Sequence, residues 1–130
     1  MRTIKMYCKK CKVQLTDILH EVNSNVLRYE DGVDMIDRNK FSVCINEYSN
    51  EKMLVIALDE YYFKDHTDSE RFNGCCGSAG MDGMTKTCVK GHEVATEFSD
   101  CCMSHCISVS LEHVLIKDFS NPYEVKEIKL

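Results

Sequence analysis

FSVCIN, residues 41–46, and MLVIALDEYYF, residues 53–63, are the stretches on which the fold turns. In the first, Phe41, Val43 and Ile45 alternate with polar or small residues, the period of a half-buried strand, with Cys44 turned to the opposite face. The second combines Met, Leu, Val, Ile, Tyr and Phe with little helical spacing and reads as a buried strand running into an aromatic edge. Outward from these, ISVSLEHVLI, residues 107–116, places Ile107, Val109 and Leu111 on one face and reads as a further strand. VQLTDILHEV, residues 13–22, mixes period two at Val13 and Leu15 with helical spacing at Ile18, Leu19 and Val22, and its reading leans to strand. The tail NPYEVKEIKL turns at Asn121 and Pro122 and offers Tyr123, Val125, Ile128 and Leu130 to cover a sheet edge. The expected fold is mainly β, or α+β, in one small domain over residues 1–130.

Composition narrows the function classes. The first residues are basic with no apolar stretch behind them, so no secretory signal is expected. The longest apolar run, Met53 to Leu58, is far short of the roughly 20 residues that span a bilayer. A cytoplasmic protein without a membrane span is expected. The net charge of -5 disfavours nucleic acid, whose binding draws on Lys and Arg against phosphate. The basic cluster Lys5, Lys9, Lys10 and Lys12 reads as solvated surface around the first cysteine pair. Partners are expected to be a protein or a small ligand.

Nine cysteines in 130 residues need a cause. An odd count in a chain without an export signal does not suit a disulfide framework, and short-spaced pairs then read as metal ligands. Cys8 and Cys11 form CKKC, in which two intervening residues let both sulfurs face one ion; a thiol oxidoreductase places such a pair after a strand and at the start of a helix, and no preceding strand of useful length is expected here. The segment from Gly74 to Cys106 holds five of the six glycines and six of the nine cysteines, the texture of a tightly turning loop. The expected metal set is Cys8, Cys11, Cys76 and Cys88, with Cys75 and Cys101 as alternates, around one structural zinc. Four thiolates and the ion would bring the net charge to about -7. Cys75 and Cys101, if not ligands, read as buried small hydrophobes. Asp100 stands beside Cys101, where it could orient a ligand. A second ion would draw on His92, Cys101, Cys102, His105 and Cys106 in a region that includes CMSHC. No nucleotide-binding glycine motif is present.

The order of CxxC near the start, RFNGCCGSAGMDG, Cys88, and GHEVATEFSDC followed by CMSHCISVSLEHV resembles a group of short bacterial proteins that carry no assigned activity. In that group an aromatic residue commonly follows SDC, where this chain has Cys102, so the resemblance favours Cys101 over Cys102 as a site member. CKKCKVQLTDIL also resembles the first turn of a zinc ribbon, although the second CxxC of a ribbon is missing and Cys88 is followed by Val89, Lys90 and Gly91. These features together point to a small zinc-binding protein acting as a non-enzymatic binding or interaction module. The alternative is a thiol-dependent enzyme or redox sensor that uses a cysteine not bound to metal.

Overall fold

A computed structural model describes residues 1–46, 49–59 and 61–130. TIKMYC forms β1, Thr3–Cys8, because its alternation sends Ile4, Met6 and Cys8 inward while Thr3, Lys5 and Tyr7 face the other side. Nine further strands follow among the described residues: β2 (Leu19–Glu21), β3 (Lys40–Ile45), β4 (Lys52–Ile56), β5 (Lys64–Asp65), β6 (Lys86–Thr87), β7 (Glu93–Phe98), β8 (Cys106–Val109), β9 (Val114–Asp118) and β10 (Lys126–Ile128). The only helical pieces among the described residues are two single 3-10 turns, Ser24–Val26 and Ser69–Phe72. The protein is mainly β, and its strands form one sheet in the order β10-β9-β1-β2-β3-β4-β8-β7-β6-β5.

Among the described residues the strands pair antiparallel except β2 with β3, and the isolated bridge of Asp34 with His105 is parallel too. Parallel neighbours cannot be joined by a tight hairpin, so the chain from 22 to 39 must cross over. That crossover covers the back of the sheet: Leu27 and Ile36 bury against Val55, Ala57 and Cys106. It is tied to the residue just before β8 by the bridge of Asp34 with His105. The front face holds the larger core, with Ile4, Met6, Leu15, Leu19, Phe41, Leu54, Ile56, Val94, Ile107, Val109 and Ile116 in one cluster. β4 is therefore covered on both faces, which is why Leu54, Val55 and Ile56 form a continuous apolar run rather than an alternating one.

β1 and β7 stand five places apart in the sheet. In a flat sheet that is roughly 24 Å, yet side chains at the ends of both strands share one core cluster. The sheet is rolled about its front face, and the roll brings the turn after β1 against the turn before β7.

Three expected strands differ in extent. The strand expected over 53–63 ends at Ile56, and within that stretch Glu60 lies outside the described residues. The strand expected over 107–116 is two strands, β8 and β9, because Ser110 and His113 close a turn: the His113 amide donates to the Ser110 carbonyl at 3.1 Å, and Ser110 Oγ lies 2.7 Å from His113 Nδ1. In the tail, Ile128 and Leu130 pack on the core and β10 covers the β9 edge, whereas Tyr123 is 98% exposed. Residues 13–22 hold strand β2 and a single bridge at Gln14, with no helix.

Candidate metal centres

The first centre is built from two turns. After β1 the chain reverses at once: the Cys8 amide donates to the Val13 carbonyl and the Lys12 amide to the Cys8 carbonyl, with Lys12 at a positive φ of 64° closing the bend. This turn carries Cys8 and Cys11, so a six-residue strand does precede the pair, contrary to the expectation, while a turn rather than a helix follows it. Between β6 and β7 a second tight turn carries Cys88 and His92: the Cys88 amide donates to the His92 carbonyl and the Gly91 amide to the Cys88 carbonyl. Gly91 has φ of 89°, a conformation that a side chain would strain.

The rolled sheet presses these turns together. Cys8, Cys11, Cys88 and His92 each offer one donor atom, and all four atoms lie within 4.8 Å of one another. Cys11 Sγ is 3.7 Å from Cys88 Sγ, and His92 Nδ1 is 3.6 Å from Cys8 Sγ and 3.4 Å from Cys88 Sγ. A tetrahedral ion with sulfur at about 2.3 Å and nitrogen at about 2.05 Å has S–S edges of about 3.8 Å and S–N edges of about 3.6 Å. The observed separations match those edges before any adjustment.

Backbone amides stabilise negative charge at these sulfurs. The Lys90 amide donates to Cys88 Sγ at 3.4 Å. Burial pushes the Cys8 thiol up, opposed by the amides of Cys11 and Lys10. The Val13 amide holds the Cys11 thiol down at about 6. Lys9, Lys10 and Lys12 are exposed around the first turn, and with zinc a set of three thiolates and one imidazole carries a charge of about -1 that they would offset.

Cys76 stands elsewhere. The expected set placed it with Cys8, Cys11 and Cys88; the structure has His92 in that position and puts Cys76 with Cys75 and Cys101. The reason is the length of β7. Cys88 and His92 precede that strand while the loop carrying Cys76 is pinned beyond its far end, about 20 Å away for six residues. Ser78 accepts the Ser99 amide through its carbonyl at 2.8 Å, and its own amide donates to Ser99 Oγ at 3.0 Å. His92 carries one signal in the sequence that would have found it: Cys88-Val-Lys-Gly-His92 has the spacing of a two-ligand turn with glycine at its bend.

The second group differs in kind. Cys75, Cys76 and Cys101 bring their sulfurs within 4.8 Å of one another, and all three are exposed rather than buried as small hydrophobes. Cys75 and Cys76 face the same way because the backbone bends through 74–77 instead of running extended. Their Sγ atoms are 3.7 Å apart. At the middle is Asp100, 4% exposed. Its Oδ1 accepts the amides of Cys76 at 3.0 Å and Cys101 at 2.8 Å, and its Oδ2 accepts the amide of Cys75 at 3.2 Å. Those amides, Cys76 first, hold its carboxyl down at about 2. The crowded thiols resist ionising together: the hydrogen bond with Cys76 pushes Cys101 up to about 12.

The residues considered for a second ion do not form a set. His92 belongs to the first group and Cys101 to the other. Cys106 is buried on the back of the sheet, where burial pushes its thiol up to about 12. His105 Nε2 donates to the Asp100 carbonyl at 3.0 Å, and the Cys102 thiol is 3.9 Å from the Asp100 carboxylate. No helix among the described residues is long and apolar enough to cross a membrane. Comparison with protein-family models, curated proteins and solved structures finds no match to this chain. The class is thus set by fold and site alone: a β-sheet protein with Cys and His groups that could hold metal ions.

Proposed function

We propose that Cys8, Cys11, Cys88 and His92 hold one structural zinc ion that clasps the rolled sheet, and that the chain serves as a non-enzymatic binding module for a protein or small ligand. The observation that carries the zinc reading is the fit of one S–S and two S–N separations to tetrahedral edges. Three thiolates and an imidazole favour zinc over harder ions, and a filled tetrahedron leaves no position for a substrate. The pairing of Cys88 with His92 at 3.4 Å also has the form of a nucleophile and its base, but Cys88 has no exposed surface and two further thiols converge on it. A binding role is supported by a cleft of about 440 Å³ on the back of the sheet, lined by Tyr29, Met35, Cys44, Ile45, Met53 and Val55. Its walls among the described residues are mainly apolar, with Asn46 as a polar group at the cleft.

Elemental analysis of protein purified without added metal, paired with native mass spectrometry, tests the centre. The expected result is a tightly held zinc in every chain that is lost in Cys88→Ser. A wild-type chain without that ion, with Cys8, Cys11 and Cys88 alkylated as fast as unfolded thiols, overturns the reading.

A further inference from the structure

We infer that Cys75, Cys76 and Cys101 form a second, exchangeable site for a thiolate-preferring d10 ion of the zinc or copper(I) class, with one coordination position left open to solvent. The three sulfurs lie within 4.8 Å of one another on an exposed surface, with Cys75 Sγ and Cys76 Sγ 3.7 Å apart. Asp100 fixes both halves of the site: one buried carboxylate binds the amides of all three cysteines, joining the loop 74–77 to the turn after β7. The two segments are in backbone contact. A Cβ on Gly74 would overlap the Gly77 carbonyl, and one on Gly77 would overlap the Ser99 carbonyl. The backbone of all three cysteines is thus pre-placed, so only the χ1 rotation of each thiol remains to be ordered, which lowers the ordering cost of binding.

The chemistry follows from ligand number and charge. Three thiolates suit a soft ion and leave a fourth position vacant in tetrahedral geometry, or complete a trigonal one. With zinc the site would carry a charge of about -1, so the ion loses most of the Lewis acidity that acidifies water in neutral-ligand sites. The site is therefore suited to holding and handing over an ion rather than to hydrolysis. Binding forms three metal–sulfur bonds and releases the thiol protons to solvent; no electron is transferred. Access is the second distinction: the ligands are exposed, whereas Cys8 and Cys88 in the first centre are buried, so exchange here needs no opening of the core.

The test uses the full chain under reducing conditions, loaded with zinc alone and, separately, with copper(I) alone. Native mass spectrometry should count two zinc ions. A chromogenic chelator should remove one at least tenfold faster than the other, without change in the strand signal by circular dichroism. Cys76→Ser/Cys101→Ser should lose the fast ion and keep the slow one; a wild type that binds only the slow ion fails the second site and one that binds only the fast ion fails the first, so the two failures are seen separately. Copper(I) binding at the same three sulfurs marks the copper class, and zinc alone the zinc class. Peptide mapping of alkylation gives an independent readout should a variant fold poorly: metal should protect Cys75, Cys76 and Cys101 in the wild type. Equal alkylation of those three with and without either metal, or their oxidation to a disulfide that metal does not prevent, overturns the inference.

Discussion

The two cysteine groups sit at opposite ends of β7 and solve different physical problems. The group before the strand is closed: two turns from distant parts of the sheet meet, Cys8 and Cys88 are buried, and His92 completes four donors. The group after it is open: three exposed sulfurs lie on two adjoining loops, organised by one buried carboxylate. Sulfur content therefore does not decide the role. What decides it is whether the ligands span separate parts of the fold, in which case binding energy is folding energy, or lie on segments already in contact.

The largest expected effect breaks the first side of that contrast. Cys88→Ser, or zinc removal by a strong chelator, should cost on the order of 10 kcal/mol of metal-linked stability. That is comparable with the whole stability of a domain this size, so cooperative thermal unfolding should vanish in calorimetry. His92→Cys keeps four donors and should retain both the ion and the transition. If Cys88→Ser unfolds like the wild type, the clasp is not a source of stability.

A smaller effect should follow at the open end. Asp100→Asn keeps the shape but removes the charge on which three amides converge. The expected outcome is a fall of several degrees in Tm and loss of the fast-exchanging ion, with the tightly held zinc unchanged by native mass spectrometry. Loss of both ions would show that the two ends are coupled.

Gly77→Ala sharpens the comparison from the backbone side, since the added carbon would overlap the Ser99 carbonyl. A cost of about 2 kcal/mol in denaturant unfolding is expected, again with the tightly held ion in place. A neutral result would mean that the loop can move away from Ser99 freely.

The smallest effect lies away from both groups and serves as the control. The Tyr61 hydroxyl is buried with no hydrogen-bond partner among the described residues, and burial pushes its pKa up to about 12. A folded pKa above the ordinary value of 10 means that the fold favours the neutral phenol. Its contribution is present below about pH 10 and lost as pH rises towards 12. Tyr61→Phe should be neutral or stabilising by about 1 kcal/mol at neutral pH and should remove that part of the alkaline loss. Urea midpoints across the alkaline range measure it; a destabilised variant would show that the hydroxyl is paired after all.

Much of this molecule is legible in its residues one segment at a time. The residues of FSVCIN and the apolar run from Met53 mark β3 and β4, although the expected alternation holds only in part, since Ser42 is buried and Ile45 is 53% exposed. The CKKC spacing marks a turn that could hold a metal ion, since two sulfurs three residues apart can face one ion whatever the rest of the chain does. Asp100 beside Cys101 is readable in the same way, although its reach to Cys75 and Cys76 is not. The strand ends at Ile56 and the turn at Ser110 and His113 were less legible, because continuous apolar sequence does not show where a backbone bends.

The sequence by itself therefore determined a mainly β chain, one metal-ready turn and a glycine- and cysteine-rich region. Only the tertiary structure decided which cysteines meet. Cys76 and Cys88 are 12 residues apart but lie beyond opposite ends of β7, while Cys8 and His92 are 84 residues apart with donor atoms 3.6 Å apart. Ligand grouping depends on the roll of a ten-stranded sheet, and that roll is set by the shared core on its front face and the crossover packed on its back.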